Sequence, residues 1–97
     1  MNQLTPQDLH ELLAKDPKPF LLDVRWPAEF EAGHIEGAVN IPLPYLVLRS
    51  DEVPHDRDVV VYCEHGMRSA KALHFLKDQG FTRASHLEGG YAEFINL

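Results

Sequence analysis

The segment that most constrains this chain spans residues 59–87. Val59-Val60-Val61-Tyr62 is apolar at every position and rich in β-branched residues. A strand of that kind has apolar neighbours on both faces, as in the middle of a parallel sheet. A helical pattern follows over residues 69–79. Ala72, Leu73, Phe75 and Leu76 form its buried side, and Gly80 is placed to end it. A short strand over residues 84–87 completes a crossover between parallel strands, which is expected to be right-handed.

The remaining chain repeats this alternation. Thr5-Pro6-Gln7-Asp8 reads as a helix start, with Thr5 as cap, Pro6 in the first turn and Asp8 near the positive end of the dipole. Leu9, Leu12 and Leu13 share one face of that helix, which should end before Pro17. Residues 20–24 read as a buried strand and residues 27–32 as a short helix closed by Gly33. Residues 40–42 read as extended, 44–49 as a short helix, 51–58 as a surface loop, and 91–95 as a closing helix after a Gly89-Gly90 turn. Short strands alternating with short helices predict an α/β fold with helices on both faces of the sheet.

At 97 residues this is a single domain over residues 1–97. Folding at that size buries roughly 60–65% of the unfolded chain's surface, enough for one modest core. The net charge of −6, with lysines and arginines scattered, argues against a nucleic-acid partner. No apolar stretch approaches the ~18–20 residues that span a bilayer. The first residues lack the basic start and apolar run of a signal peptide, so the chain is expected to be cytoplasmic, or a mature chain whose targeting segment is missing; a monomer is expected, since nothing in the sequence argues against one. With one cysteine, Cys63, no internal disulfide can form.

Cys63 stands directly after the apolar strand and shortly before the helix. Ligands in open α/β sheets bind outside the carboxyl ends of strands. In Cys63-Glu64-His65-Gly66-Met67-Arg68-Ser69, residues 64–68 can curl so that backbone N–H groups converge on the sulfur. Gly66 permits the bend, and the helix adds its unpaired N–H groups and positive dipole end. Such a nest favours a thiolate, and the sulfur is expected to ionise below the ~8.5 of a free thiol. Arg68 is a permanent cation suited to an oxyanion. Glu64 works against the thiolate. The plain reading of Glu64 and His65 is as exposed loop residues. A lone cysteine is often just a small buried hydrophobe, but the glycine-bearing loop and the arginine five positions on favour a reactive thiol here.

These residues resemble the rhodanese family, and the resemblance covers nearly the whole chain. Asp23-Val24-Arg25-Trp26-Pro27-Ala28-Glu29-Phe30 looks like the family's DVR-x-P-x-E-F segment. The run from Gly33 to Pro42 looks like GHI-x-GA-x-NIP, and the run from Cys63 to Ser69 looks like the C-x-x-G-x-R-S loop. The run from Leu87 to Tyr91 looks like the closing L-x-GG segment, with Phe94 where the family often has tryptophan.

The resemblance implies a rhodanese-like three-layer fold, a mostly parallel sheet of about five strands with helices on both faces. It implies a sulfurtransferase in which Cys63 takes a sulfane sulfur from a donor such as thiosulfate. The sulfur then passes to cyanide, a thiol or a protein acceptor. The loop residues Glu64, His65, Gly66, Met67, Arg68 and Ser69 would bind substrate, with Arg68 helping to hold an anionic donor. Asp23, Arg25, Glu29 and His34 look like framework positions near the site. Their plain reading is structural: Arg25 and Glu29 as an ion pair, His34 as a turn residue, Asp23 as an orienting acceptor.

Three other readings are weighed. One is a persulfide relay or partner-binding module with little standalone turnover. Another is a phosphatase or arsenate reductase, whose loop is C-x5-R, whereas Arg68 follows Cys63 after only four residues. The third is a metal site, which the spacing of His10, His34, His55, His65, His74 and His86 does not support. No cofactor is called for.

Overall fold

A computed structural model describes residues 2–97. Five strands, β1 (Gln3–Leu4), β2 (Phe20–Asp23), β3 (Val39–Asn40), β4 (Val59–Tyr62) and β5 (Ala84–Leu87), form one sheet in the order β1-β5-β4-β2-β3. Every pairing is parallel. The fully apolar β4 is the central strand, and all four of its residues are buried. Its place follows from its composition, because a strand apolar on both faces needs cover on both.

The helices are α1 (Pro6–Leu13), α2 (Pro27–Ala32), α3 (Leu46–Arg49), α4 (Met67–Asp78) and α5 (Gly90–Phe94). The period-2 alternation of the strands divides the core in two. Leu22, Val59, Val61 and Ala84 pack with Leu46 of α3 and with Ala72, Leu73 and Leu76 of α4. Leu21, Val60, Tyr62 and Leu87 pack with Leu9 of α1 and with Tyr91 and Phe94 of α5. The result is the three-layer fold that the resemblance implies.

Several boundaries differ from expectation. β1 was not anticipated, since two residues before a helix cap leave no periodicity to read. α1 starts as expected: Thr5 Oγ1 accepts from the Asp8 N–H at 3.0 Å, and Asp8 accepts from the Thr5 N–H at 3.1 Å. A 3-10 turn over Leu43–Tyr45 precedes α3 and takes up part of the helix expected over 44–49. α4 begins at Met67, two residues earlier than expected, because left-handed Gly66 lets the helix start inside the loop. α5 begins one residue early, at Gly90. Among the described residues no helix is long and apolar enough to cross a membrane.

Candidate active site

Cys63 continues β4 past its carboxyl end and closes the core beneath α4, with its side chain 1% exposed. The chain then turns through Gly66, whose φ of +105° is a conformation that L residues rarely adopt. This turn aims two backbone donors at the sulfur. The Gly66 N–H donates to Sγ at 3.0 Å and the Ser69 N–H at 3.3 Å. The expected nest is therefore present but narrower, since those two N–H groups, rather than all of 64–68, reach Sγ. Met67 and Arg68 instead occupy the first turn of α4, where N–H groups lack intrahelical partners.

α5 fixes the loop from below. Its Tyr91 N–H donates to the Cys63 carbonyl at 2.8 Å, and its Ala92 N–H to the Glu64 carbonyl at 3.1 Å. Gly90 is required there, because a Cβ at that position would overlap both of those carbonyl groups.

The charged residues pair differently from expectation. Arg25 does not meet Glu29. It is 2% exposed, lies over the rings of Tyr62 and Tyr91, and donates to fully buried Asp23 from Nε and Nη2. Its Nη2 also reaches the Gly33 carbonyl at 2.7 Å, and its Nη1 reaches Glu64 Oε1 at 3.0 Å. Burial opposes the charge on Arg25, but Asp23 and Glu64 outweigh it and hold the guanidinium firmly protonated. Asp23 is thus an orienting acceptor, and Glu64 spends its carboxylate on Arg25.

Glu29 instead clamps Arg68, with Oε1 accepting from Nη1 at 2.7 Å and Oε2 from Nη2 at 3.0 Å. The reason lies in the elements. Glu29 is in the first turn of α2 and also accepts from the Trp26 N–H, while Arg68 is in the first turn of α4. The Arg68 hydrogen bonds hold the Glu29 carboxyl down at about 2. Arg68 is therefore a neutralised cation whose guanidinium is pre-positioned, with N–H groups left over beyond those given to Glu29.

The sulfur opens on a cleft of about 320 Å³ lined by Cys63, His65, Met67, Arg68 and Lys71. His65 and Met67 are exposed at its mouth. His34 stands elsewhere. It stacks on Phe30 at 3.7 Å between ring centroids and lines a separate cleft with His10, Tyr91 and Phe94. The structure thus brings Asp23, Arg25 and Glu29 into the network around the Cys63 loop and leaves His34 apart from the sulfur cleft.

Sequence reasoning missed two residues. Lys71 lies one turn along α4 from Met67 and Arg68, a placement legible from helical spacing. The other is His86, whose Nδ1 lies 3.2 Å from Ser69 Oγ. Its signal was strand alternation: Ala84 faces α4, so His86 two residues on faces it too. Among the described residues no cluster of three or more His, Cys, Asp or Glu side chains is arranged to hold a metal.

Known proteins are similar to this chain in sequence and fold. The rhodanese-like domain model matches residues 5–97. A sulfurtransferase of Allochromatium vinosum is 39% identical over 90 residues, which are 93% of this chain and 84% of that one. The probable adenylyltransferase/sulfurtransferase MoeZ of Mycobacterium tuberculosis is 43% identical over 91 residues, but these are only 23% of its length. The crystal structure of a rhodanese-related protein from Thermoplasma volcanium superposes with a TM-score of 0.90 at 32% identity, covering 99% of this chain and 92% of that one. A parallel five-stranded sheet, a thiol at the end of its central strand and a family match over nearly every residue lead to one conclusion: this chain belongs to the rhodanese-like domain family, which includes sulfurtransferases.

Proposed function

We propose that this domain transfers sulfane sulfur through a persulfide on Cys63. The observation that carries the proposal is the pair of N–H donors on Sγ, at 3.0 and 3.3 Å, at the floor of an open cleft. In the first step the Cys63 thiolate attacks the outer sulfur of thiosulfate. A new S–S bond forms, the thiosulfate S–S bond breaks, and sulfite leaves with its electron pair. In the second step an acceptor such as cyanide attacks the outer persulfide sulfur, forms thiocyanate and returns the electron pair to the Cys63 thiolate. In this reading the first-turn N–H groups of Met67 and Arg68, which lack intrahelical partners, hold the outer sulfur. Arg68, Lys71 and His65 line the path of an anionic donor. The persulfide is a covalent intermediate, and sulfite leaves before the acceptor reacts, which makes the scheme ping-pong.

Thiocyanate formation from thiosulfate and cyanide tests this reading. Double-reciprocal plots should be parallel at several cyanide concentrations, and Cys63→Ser should form no thiocyanate. Intersecting lines would exclude a free persulfide intermediate, and turnover that survives in Cys63→Ser would remove Cys63 from the reaction.

A second reading is favoured by the mouth of the cleft. Met67 is 77% exposed beside the sulfur, an apolar side chain suited to a protein donor or acceptor rather than a small ion. In this reading the domain relays persulfide between proteins, with slow turnover of thiosulfate and cyanide. Persulfide delivered by a protein donor much faster than by thiosulfate would favour it.

A further inference from the structure

Ser69 Oγ faces three groups, and its one proton can go to only one of them. Its Oγ lies 3.2 Å from the Gly66 carbonyl, 3.6 Å from Cys63 Sγ and 3.2 Å from His86 Nδ1. A hydroxyl has one proton to give and two lone pairs to receive with. The Gly66 carbonyl can only accept. The sulfur donates as a thiol and accepts as a thiolate. Nδ1 donates or accepts according to where the imidazole proton sits. The Gly66 carbonyl already accepts from the Ala70 N–H at 3.1 Å and so can do without the Ser69 proton, which leaves the state of His86 to decide whether that proton turns to Nδ1 or to the sulfur.

His86 is half-buried in β5. Its register neighbours, Gln3 on β1 and Val61 on β4, carry no charge. Glu88 acts on it from further along the chain. From α4 and its loop, Ser69 faces it, with Cys63 as the titratable group behind. Burial pushes the imidazole pKa down, and Glu88 only partly opposes this, so His86 is neutral at neutral pH. A neutral imidazole has one nitrogen able to accept a proton.

We propose that His86 is a positioning residue for the nucleophile and acts through Ser69 as its proton partner, along the chain Sγ–H···Oγ–H···Nδ1. When the thiol ionises, the S–H bond breaks and its electron pair stays on sulfur. The thiol proton goes to Ser69 Oγ, and the proton already on Oγ goes to Nδ1. Ser69 ends neutral, as it began. The imidazolium so formed is acidified by its burial and releases its Nε2 proton to water. The chain is then reversed: Nδ1–H donates to Oγ, and the hydroxyl donates to the anionic sulfur. The sulfur gains a third donor beside the N–H groups of Gly66 and Ser69. This role deepens the sulfur-transfer reading, but it concerns the thiol itself and can be tested without any sulfur donor.

Two measurements test it. The first is imidazole nitrogen NMR on the intact protein at pH 9, comparing the wild type with Cys63→Ser. Facing a thiolate, His86 should carry its proton on Nδ1. In Cys63→Ser, with no anion to solvate, it should carry the proton on Nε2. The same tautomer in both proteins overturns the proposal, and this comparison needs no change at Ser69 or His86. The second is the rate of Cys63 alkylation by iodoacetamide at pH 7. Ser69→Ala and His86→Asn should each lower it about tenfold, and the double variant should be no slower than the slower single variant, because both act along one path. Unchanged rates, or losses that multiply in the double variant, overturn the relay. Alkylation that follows this pattern in a protein that takes no sulfur from thiosulfate would keep the relay and reject thiosulfate as donor.

Discussion

The side chains around Cys63 are held by ionic contacts whose strength depends on pH, and Glu29 shows how. Its carboxyl sits at about 2 in the folded protein, against an ordinary value of 4.5, chiefly because Arg68 donates to it. A depressed carboxyl adds stability above its unfolded value and loses that contribution as pH falls through its folded value. The clamp on Arg68 therefore acts fully above about pH 4.5 and fades towards pH 2. Glu29→Gln should lower the melting temperature at pH 7 by a few degrees, since the pair is about a third exposed and solvent screens it. The deficit should shrink steadily below pH 4.5 and vanish near pH 2, as thermal denaturation over that range would show. A deficit independent of pH would mean that Glu29 acts by packing and not by charge.

At the scale of elements, two glycines join the Cys63 loop to its neighbours, and they should respond differently to the same change. At Gly66 an added Cβ would meet the Gly89 nitrogen at 3.5 Å, an ordinary contact, so Gly66→Ala is penalised by its positive φ alone, at about 1–2 kcal/mol. At Gly90 the added Cβ would overlap the Cys63 and Glu64 carbonyl groups, which cannot yield without dragging the nucleophile. Gly90→Ala should therefore be the more damaging to both melting temperature and alkylation rate, and equal losses at the two sites would contradict this packing. The sequence made most of this frame legible. Val59-Val60-Val61-Tyr62 announced the central strand because apolar residues at every position demand cover on both faces. A loop turning at Gly66 beside Cys63 was legible because the loop and helix start are local, but the Ser69 N–H as the second donor on Sγ was not, since the expected donors were those of residues 64–68. Ion pairing was not legible either. Residues 25 and 29 lie in one segment and residues 64 and 68 in another, and which carboxylate each arginine meets is decided by the tertiary approach of the two segments. β1 was invisible because a two-residue edge strand is defined by its partner, β5, and not by its own composition.

The molecule as a whole sets the field in which the site works. Around Cys63, the cations Arg25, Arg68 and Lys71 are matched by the carboxylates of Asp23, Glu29 and Glu64. With the locality balanced, the overall charge of −6 governs the approach of a dianionic donor. Persulfide formation from thiosulfate should quicken several-fold as ionic strength rises from about 0.01 to 0.15 M, where the screening length falls from ~30 to ~8 Å. An uncharged donor should show no such rise. A rate with thiosulfate that falls with salt would mean that the cations at the cleft outweigh the global charge. Whether Cys63 carries the sulfur can be read from the intact mass of the protein after incubation with thiosulfate and then with cyanide. The expected result is a gain of one sulfur atom that disappears on adding cyanide and never forms in Cys63→Ser. A gain that persists in Cys63→Ser, or no gain from thiosulfate or from any persulfide donor, would contradict it.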